Sequence, residues 1–279
     1  MNYRKLTGSL SFEGKGLHSG VFCRVVIEPS DGGLTLSAGG GPALPLSGLG
    51  LEGGGRGSDL IFPDGKRVRT CEHLLSALTG AGVWSAQISV TGPEMPAFDG
   101  CALAVGQRVM ETSVPCDEGP EPFRIQSPVC AGDLSRFVVA MPSPSFHVTC
   151  VVDYEAKAIG TQILDWEGTP EDYLKMIAPA RTFALEEDLD ALRKAGMALG
   201  GSLDNAILVK KTGIEASGGL RFSDEFVRHK TLDLIGDLAS LGRPVAAHVV
   251  AVRAGHVLHL QLAERLRALF TRGGGHISD

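Results

Sequence analysis

The chain has 279 residues, 43% of them hydrophobic, with a mean hydropathy of +0.11, enough for one large or two ordinary domains with a substantial core. Its net charge of −6, with dispersed basic residues, excludes the electrostatic footprint of a nucleic-acid binder or a polybasic membrane face, which leaves a small molecule as the expected partner. The opening MNYRKLTGSL carries no apolar signal run and the longest apolar stretch, 245–252, is too short for a bilayer, so a cytoplasmic monomer that does not span a membrane is expected.

In chain order, short alternating segments at 5–12 and 21–27 read as strands, followed by glycine-rich loops at Gly39–Gly41 and Gly53–Gly55; a third cluster lies at Gly273–Gly275. Gly48-Leu-Gly50-Leu-Glu-Gly53 matches a dinucleotide-binding pattern, but a strand-like Ser58-Asp-Leu-Ile-Phe62 follows where a phosphate-binding helix would be required, so the match is set aside. Residues 66–70 predict a strand, 71–79 a helix capped by Thr70 and stopped by Gly80, and 85–90 another strand. The segment 111–123 carries three prolines, four acids and no periodicity, and reads as a linker between domains 1–118 and 119–279.

Strands are expected at 123–125, 136–141 and 147–154. Thr169-Pro-Glu-Asp172 opens a helix with a cap, a proline in the first turn and acids at the positive dipole end. Residues 184–210 read as an insert with a helix at 186–194 and a strand at 205–210, in which Leu189, Leu192, Met197 and Leu203 form an apolar wall. A helix at 225–241 closed by Gly242, a strand at 245–252 and a helix at 258–270 complete the chain. Both halves thus hold a helix with an early histidine, a glycine stop and an apolar strand. This predicts an α+β fold of two similar two-layer sheet-and-helix domains, an internal duplication, with the active site between them. The cysteines at 23, 71, 101, 116, 130 and 150 form no CxxC pair and are expected as free thiols, Cys23 and Cys150 in strand cores.

The helix Glu225-Phe-Val-Arg-His229-Lys-Thr-Leu-Asp233-Leu-Ile-Gly-Asp237 places an imidazole and two carboxylates within about 80° of arc, with Val227, Leu234 and Leu238 on its other side. Imidazole nitrogens and a carboxylate oxygen suit Zn²⁺, and three protein ligands leave the fourth tetrahedral position open. His229 and Asp233 could join His73 in such a site, with Glu72 beside it as the base. A His-Asp pair at i and i+4 is equally the pattern of a surface hydrogen bond, Asp237 and Lys230 of a solvated face, and His256 of a polar turn. Spacing alone leaves these readings open.

The segments Gly14-Lys-Gly-Leu-His-Ser-Gly20, Arg69-Thr-Cys-Glu-His-Leu74, Phe98-Asp-Gly100, Ala180-Arg-Thr-Phe183, Leu199-Gly-Gly-Ser-Leu-Asp204, Arg221–Asp237 and Gly255-His256 occur in order over nearly the whole chain. Together they resemble the UDP-3-O-acyl-N-acetylglucosamine deacetylases, zinc amidases of lipid A biosynthesis. The resemblance implies Zn²⁺ held by His73, His229 and Asp233, Glu72 as general base, and His256 as leaving-group acid or oxyanion-stabilising cation, oriented by Asp237. It also implies Thr182 as an oxyanion donor, Lys230 as a contact to the nucleotide or phosphate portion of an acylated UDP-amino-sugar, and Phe183, Gly201, Leu189, Met197 and Leu203 around an acyl-chain passage bordered by Leu17 and His18. Three positions depart from the family pattern: Cys71 where an aliphatic residue is usual, His259 where asparagine is common, and the glycine-rich 48–57 loop. A zinc amidohydrolase of another acylated amine, and a non-catalytic sugar-nucleotide or lipid binder, are the competing functions.

Overall fold

A computed structural model describes residues 2–54 and 56–273. The first half builds β1 (Leu10–Lys15), β2 (Phe22–Pro29), β3 (Leu34–Ala38) and β4 (Leu44–Pro45), then α1 (Glu72–Gly80), β5 (Ala86–Thr91) and α2 (Leu103–Glu111). Its main sheet runs β1-β2-β5-β3-β4, parallel between β5 and β3 and antiparallel elsewhere. Period-two alternation explains the layering: Cys23, Val25 and Ile27 of β2 are buried, while Phe22, Arg24 and Glu28 face outward.

The second half builds β6 (Val129–Gly132), β7 (Phe137–Pro142), β8 (His147–Asp153), β9 (Thr161–Trp166), α3 (Pro170–Met176), α4 (Leu189–Lys194), α5 (Glu225–Ala239), β10 (Val245–Val252) and α6 (His256–Gly273). These strands run β6-β7-β10-β8-β9, again with one parallel pair, β8 with β10. The two sheets therefore share strand order and sense. Each half also carries a three-stranded insert: Gly50–Glu52 with Asp59–Ile61 and Arg67–Val68 in the first, and Phe183–Leu185 with Ile207–Lys210 and Gly213–Glu215 in the second.

One apolar core runs through both halves, and α1 packs against α5 at its centre. Their closest approach is at Gly236, where a Cβ would overlap the carbonyl oxygen of Glu72. Only glycine lets the two helices come this close, and the approach brings Glu72-His73 to the face of α5 that carries His229 and Asp233.

Several expectations are corrected. Thr70 does not cap α1: it adopts φ +53°, its hydroxyl donates to Glu94 Oε1 at 3.0 Å, and the helix starts at Glu72 with no side-chain cap. The strand expected over 66–70 shrinks to Arg67–Val68, since Arg69 and Thr70 turn to meet Pro93–Met95. The 111–123 segment is not featureless, because Ser113–Cys116 pairs antiparallel with Tyr3–Leu6. The 48–57 glycine loop contains the strand Gly50–Glu52, while Gly55, Gly274 and Gly275 lie outside the described residues. α5 has no solvated front: it is buried on nearly all sides, with Arg228 and Lys230 only half-buried, because one face meets α1 and the cleft. α6 begins at His256 rather than 258, and α2 answers to no expected element. All six cysteines are free, with Cys23 and Cys150 buried as expected and Cys130 exposed.

Candidate active site

α1 delivers Glu72 and His73, α5 delivers His229, Lys230, Asp233 and Asp237, and the first turn of α6 delivers His256 and His259. His73 Nε2 lies 3.5 Å and His229 Nε2 3.3 Å from Asp233 Oδ1. Tetrahedral ligands at about 2.0–2.1 Å from a zinc ion stand roughly 3.3–3.4 Å apart, so both nitrogens are at ligand spacing from the carboxylate oxygen, and all three donors lie within 4.8 Å of one another. Two further observations fit them to such an ion. Asp233 Oδ1 is buried yet has no hydrogen-bond partner, a costly state for a carboxylate oxygen unless a cation meets it. His229 faces the carbonyl of Ala180 at 3.1 Å, so its Nδ1 must carry the proton and its Nε2 offers a lone pair. Burial pushes His229 down to about 3, keeping it neutral as a ligand must be. Burial opposes ionisation of Asp233, but His229 and Lys230 outweigh it and hold the carboxyl well below its usual range.

Glu72 is fully enclosed. Its Oε2 accepts the backbone N–H of Ser58 at 2.9 Å and its Oε1 lies 4.0 Å from His256 Nε2. Burial raises it above the ordinary carboxyl range although His256 and His73 pull the other way, which moves it toward the pKa useful to a general base near neutrality. Asp237, the third acid on the α5 stripe, does not join the ligand cluster. It receives the Nδ1 of His256 at 3.0 Å, the Nδ1 of His259 at 2.8 Å and the hydroxyl of Ser58. Burial works against its charge, but His256 and His259 prevail and the carboxyl sits at about 2. Burial likewise opposes protonation of His256, and Asp237 overcomes it, raising the imidazole to about 9. Its Nε2 consequently faces the cleft, 3.6 Å from Asp233 Oδ2.

A cleft of about 150 Å³ opens over these groups and is lined also by Leu17, Tyr154, Thr182, Phe183 and Lys230. Lys230 donates to Asp233 Oδ2 at 2.6 Å. Phe183 packs edge-on against Phe226, Tyr154 and His229, with ring centroids 5.0, 5.6 and 6.2 Å apart, and so fixes the cleft wall. Leu17, Arg56, Thr182 and Phe183 also line a second cavity of about 230 Å³, which runs into the insert between His18, Leu189, Leu192, Gly201, Leu203 and Ile207. Of the expected wall, Met197 alone does not line this cavity; Ala198, in a left-handed turn at φ +57°, takes the place.

Sequence reasoning missed Ser58, Tyr154 and the Arg56–Asp188 ion pair, at 2.6 Å, between the first-half loop and the insert. It singled out His259 only as a departure, whereas the side chain is buried against Asp237. A polar residue after Gly255-His256 at helical spacing was the signal available for it.

A family model for UDP-3-O-acyl N-acetylglycosamine deacetylase (LpxC) matches residues 3–268. The chain is 39% identical over 269 residues to a UDP-3-O-acyl-N-acetylglucosamine deacetylase of Thermosynechococcus vestitus, covering 94% of this chain and 93% of the relative. It is 36% identical to the enzyme of that name from Myxococcus xanthus, over 95% of this chain and 86% of the relative, and 37% identical to that from a Nostoc species, over 96% and 99%. These matches, along almost the whole length, place the chain in the UDP-3-O-acyl N-acetylglycosamine deacetylase family.

Proposed function

We propose that the chain hydrolyses the N-acetyl group of UDP-3-O-acyl-N-acetylglucosamine, releasing acetate and the free amine, as a step in lipid A biosynthesis, and that it does so as a zinc enzyme. The observation that carries the metal reading is the unpartnered Asp233 Oδ1 set at ligand spacing from His73 and His229, beside Glu72 and His256. His73, His229 and Asp233 would hold the ion, with Lys230 fixing the outer oxygen of Asp233 so that Oδ1 is presented to it. Bound there, Zn²⁺ would supply polarisation of the amide carbonyl and acidification of the attacking water.

Glu72, steadied by the Ser58 amide, removes a proton from that water as oxygen attacks the acetyl carbon. Thr182, on the cleft wall, donates its hydroxyl to the carbonyl oxygen as negative charge develops on it. His256, held protonated and oriented by Asp237, passes a proton to the amine nitrogen as the carbon–nitrogen bond breaks. The overall change is amide plus water to acetate plus amine. The 230 Å³ cavity, apolar along Leu189, Leu192, Leu203 and Ile207, receives the 3-O-acyl chain, and Phe183 stands between it and the reacting carbonyl. Lys230 and Tyr154 flank the remaining mouth, where the diphosphate and sugar enter. The division into domains 1–118 and 119–279, related by duplication, is supported by the common strand order. No helix among the described residues is long and apolar enough to cross a membrane, and the reading takes the enzyme as a cytoplasmic monomer.

Acetate release from the acylated and unacylated sugar nucleotides tests the reading. The acylated substrate is expected to be turned over with a much higher kcat/KM. Equal rates would point to a different acylated amine as the substrate, and no release from either would remove the catalytic reading.

A further inference from the structure

On the outer face of the second sheet, away from the cleft, three adjacent strands bring two histidines and an aspartate together. His147 opens β8 and is the register partner of His248 on β10, and Thr149, two residues on, is the register partner of Asp165 on β9. A two-residue step returns a strand to the same face, so all four side chains project from one side. Alternation identifies it as the outer side, since Val148 and Cys150 of β8 are buried while His147 and Thr149 are half-buried. The imidazoles of His147 and His248 lie face to face, centroids 4.0 Å apart and planes within 8°. His147 Nε2 is 2.9 Å from Asp165 Oδ1, and Thr149 Oγ1 lies 2.5 Å from the same oxygen and 2.8 Å from His248 Nε2. Two nitrogens and a carboxylate oxygen thus converge, all within 4.8 Å of one another.

We propose that His147, His248 and Asp165 form a second, solvent-facing site for a divalent transition ion such as Zn²⁺, separate from the cleft. Two imidazoles and one carboxylate are the donor set that borderline ions prefer over Mg²⁺ or Ca²⁺. A tetrahedral ion asks for donors about 3.3 Å apart, each imidazole lone pair aimed at it in the plane of its ring; because the two rings are parallel, one of them must turn about its side-chain torsions to meet the ion, and solvent supplies the fourth position. Thr149 bridges Asp165 Oδ1 and His248 Nε2, so an ion takes the place of its hydroxyl on the nitrogen while the hydroxyl keeps its bond to the carboxylate. An ion there ties β8, β9 and β10 together on the face opposite α5.

The test is zinc content after equilibrium dialysis of untagged protein, measured for the wild type and for the variants His248→Ala and Asp165→Asn. Both variants are expected to bind one equivalent fewer than the wild type while keeping deacetylase activity, and Asp233→Ala is expected to keep the equivalent that they lose. Asp165→Asn preserves shape, so a loss in that variant cannot be assigned to misfolding. Zinc content equal to the wild type in both variants would overturn the proposal and leave a cross-strand hydrogen-bonded cluster. The catalytic reading stands or falls separately, on acetate release and on Asp233.

Discussion

At Asp237 one buried carboxylate accepts from His256, His259 and Ser58, and this sharing sets the charge of the imidazole facing the cleft. If His256 acts as an acid, activity needs its protonated form and falls as pH rises through its pKa. Asp237 is what lifts that pKa, so Asp237→Asn is expected to move the alkaline limb of the kcat/KM profile to lower pH; an unmoved limb would take Asp237 out of the proton path. Glu72→Gln keeps the shape of the site and removes the base, and is expected to retain bound zinc while losing about 10²–10⁴ in kcat. Near-normal turnover in that variant would assign the base elsewhere. At this scale the sequence showed His229 and Asp233 as neighbours on one helix face, a spacing that by itself fitted a surface hydrogen bond equally. The joining of His73 to them was legible only through family resemblance, because convergence of α1 and α5 is a tertiary event. Ser58 was not legible at all: its hydroxyl and amide acquire their partners from the path of a glycine-rich loop, which carries no periodicity to read.

Among the elements, the α1–α5 contact holds the halves of the site together. Gly236→Ala places a methyl group against the Glu72 backbone, and the helices must separate. Overpacking of this kind costs roughly 1–3 kcal/mol, and because it displaces Glu72 and His73 relative to Asp233, weaker zinc retention is expected alongside the lower Tm. A variant with wild-type Tm and metal content would show that the helices have slack. The insert makes a different prediction. Leu189→Arg sets a charge on the wall of the 230 Å³ cavity, and is expected to raise KM for the acylated substrate while leaving hydrolysis of the unacylated one unchanged; equal effects on both would place the acyl chain elsewhere. The insert helix and the strands with clear alternation were readable, as was the Thr169 cap, which the structure extends to a capping box with Asp172; the strands Leu34–Ala38, Leu44–Pro45, Val129–Gly132 and Thr161–Trp166 were not expected. The Thr70 cap was misread, since a threonine before a helix looks the same whether its hydroxyl turns to the helix amides or, as here, to Glu94.

Over the whole molecule, the two main sheets share one strand order, and the cleft lies where helices, loops and the second insert of the two halves meet. A ligand that binds the folded state alone stabilises it by mass action, about 4 kcal/mol at a thousandfold excess over Kd. Stripping the metal with a chelator is therefore expected to lower Tm, and zinc to restore it. The recurrence of helix, glycine stop and apolar strand hinted at this symmetry, but the pairing order, including the parallel pair shared by the two sheets, depends on contacts between distant segments that no local pattern encodes. Whether three side chains from the two halves grip one ion can be read from an anomalous difference map at the zinc edge, on crystals of zinc-loaded protein. A peak is expected about 2.0–2.2 Å from His73 Nε2, His229 Nε2 and Asp233 Oδ1; a cleft without a peak, or a peak held by only one of the three, would refute the shared metal site.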